Sequence, residues 1–329
     1  DEGLYDGVQY IDFSKFNIND NFNFIIQWRS NIYNYELKAQ RNWVWLHDII
    51  SPDIMYVEDD VKQADKFIVL SNYHKSLLPS YVPESKILVS ANGLNLADYT
   101  KKYPRNPHKI AYGSSYDRGL ENLLDIWPDI KAAVPDAELS VFYGWNNLVR
   151  VAEDDARLKS WIIAMDKKMQ QPGISHLKRI GHNELIKEYK TAGIWAYPTE
   201  FPEISCITAM KAQVCGAVPV CTRYAALAET VKSGVFVGED IAKPETRAKF
   251  KETLIYLLQN PDKQESLREA MLDQQHEFDW RNVAKQWSNE LKKRQDYKVV
   301  YTYDRNKWIT DQCTPPEKIV DIGGNDGHT

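Results

Sequence analysis

The chain has 329 residues, 43% hydrophobic and 26% charged, with a formal net charge of −5. This is enough apolar material for two ordinary domains, and it excludes a disordered chain. The acidic balance excludes a general nucleic-acid binder, which needs a concentrated face of lysine and arginine to neutralise phosphates.

In chain order, runs rich in β-branched and aromatic residues alternate with helical stretches, the pattern of parallel sheets covered by helices. FNFIIQW (22–28), NWVWLH (42–47), KFIVLS (66–71) and KILVSA (86–91) predict strands. KKYPRNPHK (101–109) gathers two prolines and several bases, and reads as a linker. Beyond it KIAYGS (109–114) predicts a strand and Arg118 opens a helix. ELSVFYGW (138–145) is a second strand, followed by one long polar helix reaching about Met169. HLKRIG (176–181), IWAYPT (194–199), AVPVCT (217–222) and GVFVG (234–238) continue the strands, with a helix near 183–191. From Lys243 to about Arg294 the pattern is helical, broken at NPDK (260–263). In such doubly wound sheets ligands sit at the carboxyl ends of the strands.

Four cysteines, Cys206, Cys215, Cys221 and Cys313, form no CxxC pair and no metal-type spacing with histidine. They read as reduced thiols of a cytoplasmic protein. No stretch reaches the ~20 apolar residues of a spanning helix, and DEGLYDGVQY at the start lacks the basic and apolar regions of a secretory signal. Peripheral contact with a membrane stays open.

The stretch PTEFPEISCITAMKAQVCG (198–216) carries the chemistry. Ser205 or Glu203 is placed to cap a helix running through about Val214, with Gly216 closing it. A helix start after a parallel strand points free N–H groups into the crevice and suits a diphosphate. Glu200 and Glu203 suit sugar hydroxyls better than a phosphate. A plain reading, in which the acids only favour their own helix dipole, stands beside this one. Arg118 has a plain reading too, as a surface arginine paired with Glu121 or Asp117. His47, taken alone, is more often structural than functional.

In order and content, the run from IGHNEL to GVFVG resembles the donor-binding half of GT-B glycosyltransferases, the GT4-type or glycosyl transferases group 1 enzymes. Members carry a strand ending in Pro-Ser, a glutamate, seven residues and a second glutamate, a small-residue helix and Gly-x-Pro-Val-Val. Glu200 matches the first glutamate, and the position in register with the second is Thr208. The resemblance implies an α/β fold of two Rossmann-like domains with a deep interdomain cleft. It places an acceptor-side domain at 1–103, a nucleotide-sugar domain at 104–280 and a closing helix at 281–295 that returns to the first domain.

It also implies a metal-independent, retaining transfer of a sugar from a nucleotide-diphosphate donor to a hydroxyl of a glycan or other acceptor, with no cofactor. Arg118 would hold the diphosphate, with Ser114 and Ser115 in the turn before it and Gly144 at the end of the next strand. Lys178 and Arg179 could supply a second positive charge. Glu200 and Glu203 would position the sugar, Thr208 the ribose, and the helix start at Ile204, Ser205 and Cys206 the phosphates. Glu200, His47 and Arg118 would be catalytic, and Trp28, Arg29 and His47 would line the acceptor side.

Two competing readings remain. The acids of EDD at 58–60 resemble the metal-binding motif of GT-A transferases, although they more naturally precede a short helix; EDD at 153–155 falls inside the long polar helix. A catalytically inactive sugar-nucleotide module is the other. The tail at 296–329 ends in KIVDIGGNDGH, similar to the first nucleotide loop of S-adenosylmethionine methyltransferases, and reads as the start of a further domain of a longer polypeptide.

Overall fold

The computed structural model describes residues 2–5, 7–29, 37–49, 58–293 and 321–322, with 58–60 and 321–322 described by backbone alone. The chain divides into two units, Asp1–Ala91 with Ala284–Thr329, and Asn92–Val283.

The first unit opens with an antiparallel hairpin, β1 (Gly3–Tyr5) and β2 (Val8–Tyr10). Its sheet is built from β3 (Ile25–Trp28), β4 (Asn42–Trp45), then, after α1 (Glu58–Gln63), β5 (Lys66–Val69), and after α2 (Asn72–Ser76), β6 (Ile87–Val89). These strands lie side by side in sequence order and are all parallel. The EDD acids at 58–60 form the first turn of α1 rather than preceding it.

The second unit contains β7 (Asn106–Tyr112), α3 (Leu120–Ala133), β8 (Glu138–Phe142), α4 (Asn146–Val151), α5 (Ala156–Lys168), β9 (Ile174–Lys178) and α6 (His182–Thr191). Next come β10 (Ala192–Tyr197), α7 (Ile207–Cys215), β11 (Val218–Cys221), α8 (Leu227–Thr230), β12 (Val235–Phe236), α9 (Pro244–Gln259) and α10 (Pro261–Asp273). The six parallel strands run in the order β12-β11-β10-β7-β8-β9. β10 is buried along its whole length, which explains why AGIWAY reads as an unbroken apolar run rather than an alternation. Strand order reverses between β7 and β10, and at such a switch point the loops leaving the two strands open a crevice.

Three expectations are corrected. β7 starts at Asn106, inside the stretch read as a linker, because Asn106–Lys109 finds ladder partners in β8 and β10. The long polar helix is two helices, interrupted at Ala152–Asp154, where the Asp155 carboxylate accepts from the amides of Arg157 and Leu158 and starts α5. EDD at 153–155 is therefore a helix junction, though an exposed one as expected.

Helix α11 (Trp280–Lys293) follows, and its residues from Ala284 count with the first unit. There Trp287 Nε1 donates to Ser90 Oγ at 2.8 Å, Gln286 Nε2 donates to the Val89 carbonyl at 2.8 Å, and Lys66 pairs with Glu290 at 2.6 Å. β13 (Asp321–Ile322) lies parallel to β3. The remainder of the 296–329 tail, with Cys313, lies outside the described residues. Among the described residues no helix is long and apolar enough to cross a membrane.

Candidate functional site

The β7 loop places Arg118. A turn closed by the Arg118 amide on the Ser115 carbonyl at 3.0 Å, with the Tyr112 hydroxyl donating to the same carbonyl at 2.9 Å, fixes the backbone just before α3. Gly119 then caps α3 at φ +105°. A Cβ there would stand 2.3 Å from the Pro198 carbonyl oxygen, so only glycine lets the β10 loop touch the start of α3. Asn122 secures the contact, donating to the same carbonyl at 3.1 Å.

The β10 loop supplies the carboxylates. Glu203 is buried, accepts from the Tyr197 hydroxyl at 2.6 Å and pairs with Arg118 Nη1 at 3.4 Å. The Arg118 guanidinium also stacks 3.7 Å from the centroid of the Phe201 ring. Burial works against its charge, but the Glu203 carboxylate, followed by Tyr197 and Asp117, outweighs it and raises the Arg118 pKa above its ordinary value. The plain reading of Arg118 as a partner of Glu121 or Asp117 is thus replaced: its partner is Glu203, while Glu121 pairs with Lys168 at 2.7 Å. Glu200 is exposed, and no hydrogen bond or ion pair engages it among the described residues.

The start of α7 differs from the expected one. Its N-cap is Cys206, not Ser205 or Glu203, since Glu203 is turned toward Tyr197 and Arg118. Ser205 is buried with its hydroxyl unpartnered, and Ile204 is buried beside it. Burial pushes the Cys206 thiol well up, so it stays protonated and is no nucleophile. Among the described residues no oxygen caps α7; the Ala209 amide meets the Cys206 sulfur, and the amides of Ile207 and Thr208 remain available to an anion. Thr208 sits half-buried in that first turn, and Gly216 ends the helix at φ +87°, as expected.

Other candidate residues are placed differently. Ser114 is buried and Ser115 half-buried in the β7 turn. The Gly144 amide is already committed to the Tyr116 hydroxyl at 3.0 Å. Lys178 and Arg179 are exposed at the end of β9, where Lys178 holds φ +59°, an uncommon conformation for a side chain.

In the first unit Trp28, Arg29 and His47 do come together at the ends of β3 and β4. The Trp28 and His47 rings are 5.5 Å apart, and Arg29 Nη2 lies 3.4 Å from the His47 carbonyl and 3.0 Å from Asp48. Burial, helped by Arg29 and His74, pushes His47 down to about 3, so it is neutral. Its Nε2 and the Trp28 Nε1 are buried without partners among the described residues. Sequence reading overlooked His74, whose Nδ1 accepts from the Leu70 amide and whose Nε2 meets the Asp48 carbonyl, each at 3.2 Å. That bond orders the loop after His47.

A cavity of about 640 Å³ opens beside Arg118 and Gly119, with Glu200 and Phe201 on its rim. Among the described residues no group of three or more His, Cys, Asp or Glu side chains is disposed to hold a metal ion.

The sequence profile described as "Glycosyl transferases group 1" matches residues 108–273, just over half of the chain and the span that holds Arg118, Glu200, Glu203 and α7. The chain belongs to the glycosyl transferases group 1 family. Among curated protein sequences none matches it. Solved structures match at low identity. The pneumococcal O-GlcNAc transferase GtfA, in complex with UDP and GlcNAc, is 14% identical with a TM-score of 0.57, over 80% of this chain and 54% of that one. Sucrose-phosphate synthase from Thermosynechococcus elongatus is 17% identical with a TM-score of 0.57, over 77% and 67%. Anabaena Alr3699/HepE, in complex with UDP and glucose, is 14% identical with a TM-score of 0.58, over 77% and 72%. The likeness is one of fold, the paired parallel α/β units of the GT-B class. The chain spans about half the length of the pneumococcal protein, 54%.

Proposed function

We propose that the chain transfers a sugar from a nucleotide-diphosphate donor to a hydroxyl of a glycan or other acceptor, without a metal ion and with retention of configuration. One observation carries the reading: within the family-matched span, Arg118 and the start of α7 leave the two strands that flank the switch point. A guanidinium whose charge is reinforced by Glu203, together with helix amides lacking an oxygen cap, suits the negative charge that grows on a departing diphosphate.

The residues divide the work by their surroundings. Arg118 and the amides at Cys206, Ile207 and Thr208 hold the diphosphate. Glu200, exposed and unpaired among the described residues, accepts from sugar hydroxyls, while Glu203 sets the direction of Arg118. Thr208 bonds the ribose, and Lys178 and Arg179 add positive potential. On the first unit, neutral His47 with Trp28 and Arg29 serves the acceptor. Anabaena Alr3699/HepE was solved with UDP, with UDP and glucose, and with UDP-glucose, and the pneumococcal GtfA with UDP and GlcNAc, which favours a uridine donor here. The buried thiols Cys206, Cys215 and Cys221 suit a reducing, cytoplasmic setting, within a longer polypeptide.

Thermal-shift measurements against UDP, GDP-, dTDP-, ADP- and UDP-sugars test the reading. Saturating ligand at about 100 times its Kd adds about 2.7 kcal/mol to the native state, a rise of several degrees that Arg118→Ala abolishes. No shift with any of them overturns the reading. A shift without hydrolysis or transfer of any donor sugar leaves a binding module and refutes catalysis.

A further inference from the structure

The cavity beside Arg118 extends well past the groups assigned to the donor. Its far wall is one face of α3, with Glu121, Asn122 and Asp125, closed by Trp161 of α5 and Arg247 of α9. Of these the sequence singled out Glu121 alone, as a plain partner for Arg118. The wall is built rather than incidental. Trp161 Nε1 donates to Glu121 Oε2 at 2.9 Å, Lys168 bridges Glu121 and Asp125 at 2.7 Å each, and Arg247 Nη2 reaches Asn122 Oδ1 at 3.3 Å. Tyr116 is fixed by the Gly144 amide and by His176 Nε2, each at 3.0 Å.

The groups left over set the ligand. The guanidinium groups of Arg118 and Arg247 lie on the lining and bring donors to it. Two carboxylates on the lining, Asp117 and Glu200, carry no hydrogen bond or ion pair among the described residues. An anion would face four carboxylates, and a cation would face two guanidinium groups. A ligand that both donates and accepts, carries no charge, and offers C–H faces to Trp161 meets all of these demands. A volume of about 640 Å³ falls within the range that encloses a small ligand.

We propose that this cavity is a binding subsite for a neutral saccharide, on the flank of α3 and apart from the amides of α7. It goes beyond the donor assignment and depends on that reading only for the shared rim, Arg118 and Glu200. Such a subsite would hold a sugar unit of a glycan against the second unit.

The test uses the full chain and three neutral disaccharides, maltose, cellobiose and lactose, observed by saturation-transfer NMR with and without UDP. At least one disaccharide should bind, and keep binding when UDP is present in excess. Trp161→Ala and, independently, Arg247→Ala should each weaken it about tenfold, and Asp117→Asn less. Should Trp161→Ala fail to fold, Arg247→Ala and Asp117→Asn decide. Absence of binding by all three sugars, or binding unchanged in every folded variant, overturns the subsite. Sugar binding without any UDP binding instead refutes the donor reading and leaves the subsite standing.

Discussion

The two units treat their functional candidates in opposite ways at equivalent places, the carboxyl ends of adjacent parallel strands. In the second unit Arg118 and Glu203 keep their charges by pairing, and the pKa of Arg118 is raised. In the first, His47 is enclosed by Trp28 and Trp45, whose rings lie 5.5 and 4.4 Å away, and is held uncharged. Burial alone suppresses a charge; burial with a counter-ion preserves it. The second unit therefore keeps a charge at its strand ends, and the first suppresses one.

Gly119→Ala should break the second arrangement most completely. The new methyl meets backbone, the Pro198 carbonyl at 2.3 Å, and φ is +105°. Neither neighbour can yield cheaply. A loss of about 3 kcal/mol, or roughly 6–12 °C in melting temperature, is expected by calorimetry. A variant as stable as the parent would show that the β10 loop does not rest on α3.

The next largest effects concern the ion pair. Arg118→Ala should weaken UDP binding about 100-fold in titration calorimetry, because it removes a donor to the diphosphate. Glu203→Gln should weaken it about tenfold by loosening the guanidinium, and should add nothing once Arg118 is gone. Independent, additive losses would mean that Glu203 touches the ligand itself.

How far the sequence showed this can be judged residue by residue. FIV (67–69) and IWAY (194–197) were visible as strands because they are buried on both faces and need no alternation to be recognised. Arg118 was visible from its place before a helix. Its partner was not, since Glu121 and Asp117 are nearer in the chain, while Glu203 arrives through the neighbouring strand. Tyr197 looked like ordinary core, and Trp161 and Arg247 come from helices whose surface patterns give no hint of a shared cavity. The α7 cap was misread because Ser205 is a better capping residue than Cys206 by intrinsic preference. Tertiary placement of Glu203 moved the helix start one residue on.

The first unit should be the acid-sensitive one. His47 and His74 are pushed to about 3 and about 4 by burial, against an ordinary value of 6.5. Between those values and about pH 6.5 the unfolded chain binds more protons, so stability rises with pH there and is lost as the pH falls. By linkage the two shifts together amount to roughly 5 kcal/mol lost between pH 6.5 and pH 4, with Trp fluorescence as the readout, and His74→Gln should flatten that slope. An unchanged slope in this variant would place the acid sensitivity elsewhere.

The smallest stability effect separates the two glutamates. Glu203→Gln leaves the Tyr197 hydroxyl and the Arg118 guanidinium with a neutral acceptor in a buried position, and should cost about 1–2 kcal/mol. Glu200→Gln removes a charge that is exposed and has no hydrogen bond or ion pair among the described residues, so stability should change by no more than about 0.5 kcal/mol. If Glu200 serves sugar hydroxyls, its variant should bind UDP like the parent and lose affinity only for the sugar-bearing nucleotide. Equal weakening toward both ligands would place Glu200 at the diphosphate, where a carboxylate works against binding unless a cation accompanies it. That outcome would reopen the question of a metal ion, so the ratio of the two affinities tests the electrostatic division between the glutamates.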